Sequence, residues 1–275
     1  MTIGSYLERR VGFQSLFDFT DAVEAVQFAA QHGLRAVELN LGNQHYREQL
    51  RRERARARIR NAAQRYGIAL LVHSVDGLSL FSSDRRQLRR NIEFLRQFIE
   101  DSDAAGARHF TLHLGYDMAY GYVHGKMYTY EAYPDSFAQN LSWALGQLAK
   151  TETVSMTLGI ENVGGFRYPW VYPILHQHLG GRLRLTMDVG HVNVFRSHVR
   201  RQELDFFKRH TRLIRSSHVH DNDGTQDQHY PIGKGNIDFL PFFRLLARAR
   251  AYIIFEVRPK EAALECLRQF REDYV

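Results

Sequence analysis

The 275-residue sequence has one cysteine, six prolines and no long apolar run. A single cysteine excludes an intramolecular disulfide framework, and Cys266 lies among apolar residues at helical spacing, so we expect it in the core. No stretch approaches the roughly 18 consecutive apolar residues of a membrane span. Residues 1–10 carry charges where a signal peptide needs an apolar segment. We therefore expect a cytoplasmic protein without membrane association.

The sequence has fewer acidic residues than basic residues. The sequence has 37 Lys and Arg against 30 Asp and Glu, a formal charge of +7 and a pI of about 9.6. This balance favours anionic partners such as nucleic acid or phosphorylated sugars. Much of the excess positive charge, however, comes from one series of arginines at alternating positions. On a helix, residues at this spacing are distributed around the whole circumference and do not share one face. We interpret that series as a solvated helix surface: Arg51, Arg52, Arg54, Arg56, Arg58 and Arg60.

Short β-type runs alternate with longer helical patterns along the whole chain. The predicted strands are Thr2–Tyr6, Ala36–Leu39, Ala69–His73, His109–His113, Thr157–Glu161, Arg184–Asp188, Ile214–Val219 and Tyr252–Val257. The predicted helices are Asp18–Gln31, Tyr46–Tyr66, Asp84–Ala105, Pro134–Lys150, Val171–Leu179, Arg200–Arg209, Leu240–Arg248 and Lys260–Arg271. Eight such units in this length indicate an α/β fold, a single (β/α)8 TIM barrel. No linker divides the chain and no glycine-rich phosphate fingerprint follows the first strand, so we predict one domain over residues 1–275 rather than an open sheet.

One connection is too long for an ordinary turn between a strand and a helix. Gly115–Tyr133 follows the fourth predicted strand and contains six tyrosines. Its position predicts a lid or a substrate wall over the mouth of the barrel. The alternative is an aromatic loop packed on the barrel rim or on a partner subunit, which would make the protein a homo-oligomer.

Nearly every predicted strand ends in a polar side chain, although barrel strands are buried and should be apolar. The carboxyl ends of barrel strands meet at one mouth, so these groups should converge. Several buried carboxylates and imidazoles without a cation would leave unpaired charge, which costs several kcal/mol per group. Imidazole and carboxylate ligands without sulfur suit Zn2+ or Mn2+. The converging set is Glu38, His73, His113, Glu161, Asp188, His218 and Glu256.

Two further groups extend this set. His191 follows Asp188 by three residues, and Asp227 and His229 form an Asp-x-His pair in the loop after the seventh predicted strand. Asp-x-His alone is a weak signal, but this loop is already bound to the mouth. The glycines of Gly233-Lys-Gly235 allow the chain to return tightly.

These residues resemble the xylose-isomerase-like barrels, a superfamily that contains sugar and sugar-phosphate isomerases and epimerases together with endonuclease IV. The resemblance covers essentially the full chain. Its specific motifs are Ile160-Glu-Asn162, Met187-Asp-Val-Gly-His191, His218-Val-His-Asp-Asn-Asp-Gly224 through Gly235-Asn-Ile-Asp238, and Phe255-Glu-Val-Arg-Pro259.

For the isomerases and epimerases, the resemblance implies one divalent ion held by the carboxylates and imidazole that end strands 5 to 8. Glu161 and Glu256 would also move a proton beside the substrate carbonyl, while the metal polarises that carbonyl and stabilises the enediolate. The implied ligands are Glu161, Asp188, His218 and Glu256. Candidate substrate contacts are Glu38, Asn162, His220, Lys234 and Arg258, with His191 touching a substrate oxygen.

For endonuclease IV, the resemblance implies a three-zinc site in which Glu161 bridges two ions and an activated hydroxide attacks a phosphodiester. All nine ligands are available, because His73, His113, His191, Asp227 and His229 join the previous four. The DNA-inserting loops of that enzyme are not recognisable, however. His113-Leu-Gly-Tyr116 replaces its His-Pro-Gly, and the phrases around His220 and Glu256 are more similar to the isomerase branch.

The sequence therefore predicts a divalent-metal-dependent isomerase or epimerase of a small sugar or sugar-like carbonyl compound, with one to three Zn2+ or Mn2+ ions per chain. The alternative is a zinc-dependent abasic-site endonuclease or another phosphoesterase, and only this alternative implies DNA as a partner. A third hypothesis is a barrel that binds a metal or carbohydrate without catalysis. Paired buried carboxylates are expensive to maintain without chemistry, which disfavours it.

Overall fold

A computed structural model describes residues 6–153, 155–194 and 197–275. Its centre is a closed barrel of eight parallel strands in the spatial order β1-β10-β9-β8-β7-β4-β3-β2. This arrangement confirms the predicted (β/α)8 TIM barrel. The strands are β1 Val11–Ser15, β2 Ala36–Asn40, β3 Ala69–His73, β4 His109–His113, β5 Ala119–Tyr122, β6 Gly125–Tyr128, β7 Thr157–Glu161, β8 Leu183–Asp188, β9 Ile214–Val219 and β10 Tyr252–Phe255. That residues 1–275 form one domain stays a prediction.

Helices surround the barrel and bury their apolar faces against it. They are α1 Ala22–Gln31, α2 Gln44–Arg51, α3 Glu53–Tyr66, α4 Arg85–Ala104, α5 Thr129–Ala132, α6 Pro134–Leu148, α7 Val171–His178, α8 Val189–Val194, α9 Ser197–Arg209, α10 Leu240–Ala249 and α11 Lys260–Tyr274. Side-chain caps start several of them: Asp21 accepts a hydrogen bond from the Val23 amide and Asp84 accepts one from the Arg86 amide. In the described ranges, no helix combines the length and apolar composition needed to cross a bilayer.

The first strand lies elsewhere than predicted. Of the predicted strand Thr2–Tyr6, residues 2–5 lie outside the described residues, and Tyr6 is helical. Instead β1 pairs with both β2 and β10. Position 12 of β1 requires glycine, because a Cβ there would lie 2.4 Å from the Ala36 carbonyl oxygen. A glycine and two polar residues dilute the apolar signal of this strand, which explains the error.

The predicted helix Tyr46–Tyr66 is interrupted. It forms α2 and α3, separated by Arg52, whose backbone is extended. The guanidinium of Arg56 donates to the Leu50 carbonyl at 2.6 Å and to Asp101 at 2.9 Å. The Arg56 side chain thus satisfies a carbonyl at the end of α2. No glycine or proline in the sequence indicates the break between α2 and α3.

The tyrosine-rich connection contains ordered structure. Strands β5 and β6 form an antiparallel hairpin that pairs with no barrel strand, and α5 follows it. Most of the hairpin side chains are exposed, whereas Tyr130 of α5 is buried and donates a hydrogen bond to the Tyr116 carbonyl. The hairpin is thus attached to the barrel at its base and projects from it.

The barrel interior changes from apolar to polar along its axis. Small and aliphatic residues, Ala36, Ala69, Leu71 and Ile254, fill the layer near the amino ends of the strands. Above them, the buried His109 contacts the Thr157 and Thr186 hydroxyls at 2.8 and 2.9 Å. Gly159 makes room for this imidazole, because a Cβ there would lie 2.2 Å from its Nε2. The polar layer supports the groups at the carboxyl ends.

Candidate functional site

The strand ends bring the predicted metal ligands together at the carboxyl end of the barrel. His73, His113, Glu161 and Asp188 are the last residues of their strands, and His218 is the penultimate residue of β9. Glu256 directly follows β10. Each of these six side chains is buried, with at most 8% of the residue exposed.

A first group of donors surrounds one oxygen of Glu161. The Nε2 atoms of His73 and His113 lie 3.1 and 2.9 Å from Glu161 Oε2. His73 is oriented by its second ring nitrogen, Nδ1, which lies 2.8 Å from the Ser74 carbonyl oxygen. Both imidazoles therefore direct Nε2 towards the carboxylate.

A second group surrounds His218 Nδ1. Glu161 Oε1 and Glu256 Oε2 both lie 3.0 Å from this nitrogen, and Asp188 Oδ2 lies 3.9 Å away. The ligand atoms of these four buried residues all lie within 4.8 Å of one another. Glu161 belongs to both groups, with a different oxygen in each.

A third group lies at the more exposed side of the mouth. His191 Nε2 and His229 Nε2 each lie 3.1 Å from Asp227 Oδ2. The other ring nitrogen of each histidine lies near a backbone carbonyl oxygen, at 3.0 Å from Asn162 and 2.7 Å from Glu256. These contacts fix which nitrogen faces the carboxylate.

Charge coupling makes the carboxylates strongly acidic. Burial alone would raise the pKa of Glu161, but His218 and His113 outweigh it and hold that pKa well below its usual range. The pKa of Glu256 is lowered in the same way, mainly by His218 against the effect of burial. Burial would lower the pKa of His73, yet the Glu161 carboxylate raises it to about 9. The carboxylates are thus ionised at neutral pH.

The donor set fits divalent metal ions. Ionised carboxylates and imidazoles, without sulfur, are ligands that Zn2+ and Mn2+ accept. In each carboxylate–imidazole contact, a proton lies between an oxygen and a nitrogen that can both donate a lone pair to a metal. A divalent cation bound by both atoms would take the place of that proton. In the part of the chain that the structure describes, five overlapping clusters of three or four donors meet this description.

Surrounding residues position the ligands. Glu38 is fully buried, and its Oε2 lies 2.7 Å from His218 Nε2, the nitrogen that faces away from the mouth. The Asn162 side chain accepts a hydrogen bond from the Asp188 amide and donates one to the Asp188 carbonyl. Carboxylates and amides in such places fix the tautomer and direction of a ligand.

A buried aspartate orders the loop that carries Asp227 and His229. Asp221 accepts backbone hydrogen bonds from Asn222, Gly233, Gly235 and Ile237. Sequence reasoning did not identify this role, although the glycines of Gly233-Lys-Gly235 indicated a tight return. Gly235 permits the approach, because a Cβ there would lie 2.3 Å from Asp221 Oδ1.

The predicted substrate contacts lie in different places. Arg258 is at the mouth, 2.5 Å from Gln14 Oε1 and 3.5 Å from Glu256 Oε1. His220 is buried, stacks on His229 with ring centroids 3.9 Å apart, and contacts Asp188 at 3.2 Å. Glu38 and Asn162 are buried behind the ligands. Lys234 is exposed and pairs with Glu265 at 3.3 Å, so the structure does not bring it into the cluster.

Two further side chains at the mouth escaped the sequence reasoning. Asp76 Oδ1 lies 3.8 Å from His113 Nδ1, and the Tyr116 hydroxyl lies 3.3 Å from the same nitrogen. Burial raises the pKa of Tyr116, and nearby carboxylates raise it further. Asp76 occurs three residues after His73, which is the only sequence signal that it could reach the site. Tyr116 lies in the tyrosine-rich connection and has no distinguishing motif.

Comparison with known proteins agrees with the fold and the motifs. A family model described as "Xylose isomerase-like TIM barrel" matches residues 26–272. The uncharacterized protein MJ1614 of Methanocaldococcus jannaschii is 29% identical over 204 residues, covering 72% of this chain and 74% of the relative.

Solved structures share the barrel over nearly its whole length. A D-tagatose 3-epimerase-like protein superposes with a TM-score of 0.76, at 22% identity, over 96% of this chain and 97% of its own. The TTHB071 protein of Thermus thermophilus, from a crystal soaked with ZnCl2, gives 0.70 at 24% identity over 96% and 98%. Endonuclease IV of the same organism gives 0.64 at 18% identity over 96% and 98%. At these identities the likeness establishes the fold alone.

Proposed function

Because the chain belongs to the xylose isomerase-like TIM barrel family, we propose that it is a divalent-metal-dependent isomerase or epimerase of a small sugar or sugar-like carbonyl compound. The observation that carries this proposal is the position of two buried glutamates. Glu161 and Glu256 approach the same His218 nitrogen, each at 3.0 Å, from strands on different sides of the barrel. A carbonyl substrate held between them has a carboxylate within reach of the carbon next to its carbonyl.

Four residues hold the metal in this proposal: Glu161, Asp188, His218 and Glu256. A divalent ion held by these residues would supply Lewis-acid polarisation of the substrate carbonyl, which would make the hydrogen on the neighbouring carbon more acidic. Arg258, at the mouth, is placed to bind a substrate oxygen. The buried position of the ligands keeps water from the reacting carbon.

The two glutamates are not equivalent. Glu161 Oε2 already contacts the imidazoles of His73 and His113, and Glu161 Oε1 contacts His218. Glu256 uses Oε2 for His218, and among the described residues the partner of its Oε1 is the Arg258 guanidinium at 3.5 Å. We therefore assign the first proton transfer to Glu256 Oε1. Glu161 takes or returns a proton only when its contacts with His73 and His113 open.

Solvent deuterium incorporation tests this mechanism directly. Metal-loaded protein is incubated in D2O with a panel of ketoses and aldoses that includes D-tagatose and D-allulose, sugars named for structural neighbours. We expect deuterium at the carbon next to the carbonyl of at least one sugar. Glu256→Gln abolishes the exchange, and the exposed Glu100→Gln leaves it unchanged. Exchange that persists in Glu256→Gln contradicts the assignment.

A second candidate function rests on the remaining donors. His73 and His113 around Glu161 Oε2, and His191 and His229 around Asp227, provide two donor groups that a one-metal isomerase does not need. Multinuclear sites of this kind hold the attacking and leaving oxygens of phosphoester hydrolysis. A zinc-dependent abasic-site endonuclease or another phosphoesterase is therefore the alternative.

Metal analysis separates the two candidates. Protein purified without chelator or an affinity tag is analysed for zinc and manganese per chain and assayed for nicking of a duplex with one abasic site. Three zinc ions per chain favour the phosphoesterase, provided that the protein nicks the abasic duplex and that His113→Ala abolishes the nicking. One ion per chain, without nicking, eliminates it.

A further inference from the structure

A second concave site lies at the opposite end of the barrel from the metal ligands. A cavity of about 500 Å3 opens there, and its lining includes Tyr6, Arg9, Arg10, Arg35, Arg108 and Tyr252. We call it the basic cavity. Five-residue strands place it roughly 17 Å from the carboxyl mouth, since a strand rises about 3.3 Å per residue.

The barrel topology explains why these arginines converge. Arg10 precedes β1, Arg35 precedes β2, and Arg108 precedes β4. The amino ends of parallel strands meet at one end of a barrel, so residues distant in sequence become neighbours there. Three separate chain segments thus contribute guanidinium groups to one cavity.

These guanidinium groups have few protein partners. Within residues 6–153, 155–194 and 197–275, none of the four arginines forms an ion pair with a carboxylate. Arg10 donates to the Arg250 carbonyl at 3.0 Å, and Arg108 donates to the Tyr252 hydroxyl at 3.3 Å. Each guanidinium carries five donors, so most donors face the cavity or solvent.

The surroundings add positive charge and flat surfaces. Arg184 and Arg215 lie near the amino ends of β8 and β9, close enough that Arg215, together with burial, lowers the pKa of Arg184. The Arg10 guanidinium lies over the Tyr6 and Tyr252 rings at 5.8 and 5.4 Å from their centroids. A cluster of like charges without acids is unfavourable unless an anion offsets it.

We propose that the basic cavity binds a compact polyphosphate anion, either the polyphosphate group of a nucleotide or an inorganic polyphosphate. The planar guanidinium fork binds phosphate or carboxylate oxygens in pairs, and four guanidinium groups around one cavity favour a compact anion that carries several negative charges. The cavity volume is within the range of small-molecule sites, about 300–1,000 Å3. The basic cavity and the metal centre would then bind different ligands at the two ends of one barrel.

Calorimetric titration of the full-length, metal-containing protein with tripolyphosphate and with ATP tests the proposal. We expect saturable binding that Arg35→Gln/Arg108→Gln weakens by about 30-fold or more, since each lost guanidinium removes charge-assisted hydrogen bonds. The matched control is Arg54→Gln/Arg86→Gln, which removes two exposed arginines elsewhere and should change affinity by less than about twofold. Circular dichroism and metal content verify that both variants fold.

Each outcome of these titrations either supports the proposed site or overturns it. Tripolyphosphate binding as tight as ATP binding identifies the phosphates as the ligand, and tighter ATP binding adds the nucleoside; both results support the site. Equal weakening in the control variant shows general electrostatic attraction and overturns the proposal. Binding that survives Arg35→Gln/Arg108→Gln but is lost in Glu256→Gln assigns the anion to the metal centre and overturns it as well. Absence of binding to both tripolyphosphate and ATP has the same consequence.

Discussion

Glu38 lies fully buried in the barrel interior, behind His218 and the other clustered side chains of the mouth. Its carboxylate lies 2.7 Å from His218 Nε2. It also accepts hydrogen bonds from Gln14 Nε2 and the Thr111 hydroxyl, each at 3.1 Å. Burial would raise the pKa of Glu38, but His218 outweighs it and the pKa is lowered. An ionised carboxylate behind an imidazole increases the basicity of its opposite nitrogen, here Nδ1.

We predict that Glu38→Gln weakens metal binding by about 10- to 100-fold, because the amide no longer supports the basicity of His218. Competition with a chromophoric zinc chelator measures the affinity, and the exposed Glu93→Gln is the control. A direct substrate contact, as the sequence suggested, would instead raise KM and leave metal affinity unchanged. That outcome contradicts the positioning role.

Glu203 is a buried acid that forms no ion pair with any of the described residues. It lies in α9 with no exposed surface, and neither carboxyl oxygen makes a hydrogen bond of good geometry within the described part of the chain. Burial raises its pKa from 4.5 to about 8, and the nearby Asn162 and His191 side chains offset only part of this effect. The folded protein therefore holds a proton on Glu203 at pH 7 that the unfolded chain releases.

The stability consequence has a definite sign. Between pH 4.5 and about 8 the folded state binds more protons than the unfolded state, so Glu203 makes the protein less stable as pH rises. We predict that Glu203→Gln removes this pH dependence. As pH rises from 5 to 9, the free energy of unfolding of the variant should increase by roughly 3–5 kcal/mol relative to that of the wild type. Denaturant unfolding at both pH values measures the difference. A constant gap between the two proteins refutes the prediction.

The sequence predicted the ligands of the site more fully than their supports. His73, His113 and Glu161 were identifiable because a polar residue at the end of a buried strand is anomalous by itself. Glu38 contacts His218 through the barrel interior, Asn162 bonds the Asp188 backbone on the neighbouring strand, and Asp221 bonds amides of its own loop. No sequence spacing specifies these contacts. Lys234 illustrates the opposite case: a residue within a family motif that points to solvent and pairs with Glu265.

Among the elements, the β5–β6 hairpin differs most from its prediction. Gly115–Tyr133 was expected to be a lid or substrate wall, or a loop packed on the rim or on a partner subunit, and no strand was predicted in it. It contains two paired strands and a short helix. The base is fixed by the buried Tyr130 and by a hydrogen bond between Tyr168 and Asp117. The strands of the hairpin were not recognisable because they are exposed on both faces and lack an alternating apolar pattern.

We predict that replacing residues 119–128 by a short Gly-Ser turn leaves the barrel folded but reduces kcat/KM at least about tenfold. The hairpin pairs with no barrel strand, so the unfolding temperature should change by less than about 3 °C. Calorimetry and steady-state kinetics measure the two effects. Full activity in the shortened protein rules out a substrate wall, and a change in sedimentation would then indicate a subunit contact.

The first strand and the α2–α3 break show where element prediction reaches its limit. Eight alternating units were sufficient to predict the barrel, because its count and length leave few alternatives. The location of β1 depended on Gly12 fitting against Ala36, which is a packing constraint between two strands. The break at Arg52 depends on Arg56 contacting Asp101 of a neighbouring helix.

At the scale of the whole molecule, the barrel separates charge along its axis. Buried carboxylates and imidazoles gather at the carboxyl ends of the strands, and arginines gather at the amino ends. The polar layer of His109, Thr111 and Thr186 connects the two regions through the interior. Burial lowers the pKa of His109 to about 3, so this imidazole is neutral and does not add to the positive charge below it.

The concentration of buried carboxylates leads us to expect that stability depends on a bound cation. Glu161, Asp188 and Glu256 approach one another around His218, and their mutual repulsion opposes folding unless positive charge is present. A divalent ion that binds only the folded state stabilises it by an amount that grows with ion concentration, about 2.7 kcal/mol at 100 times Kd. For a chain of this size, that gain corresponds to roughly 5–10 °C in unfolding temperature.

We therefore predict that Zn2+ or Mn2+ raises the unfolding temperature of chelator-treated protein by this amount, and that the rise increases with metal concentration. Ca2+ should have a smaller effect, because it prefers oxygen ligands alone and the His218 imidazole is one of the four proposed ligands. Replacement of His218 by alanine removes a ligand from the most buried group and should abolish most of the Zn2+ effect. Differential scanning calorimetry measures each case. Identical unfolding temperatures with chelator, Zn2+ and Mn2+ would show that the clustered carboxylates are neutralised by protons alone, and would remove the metal from the proposed function.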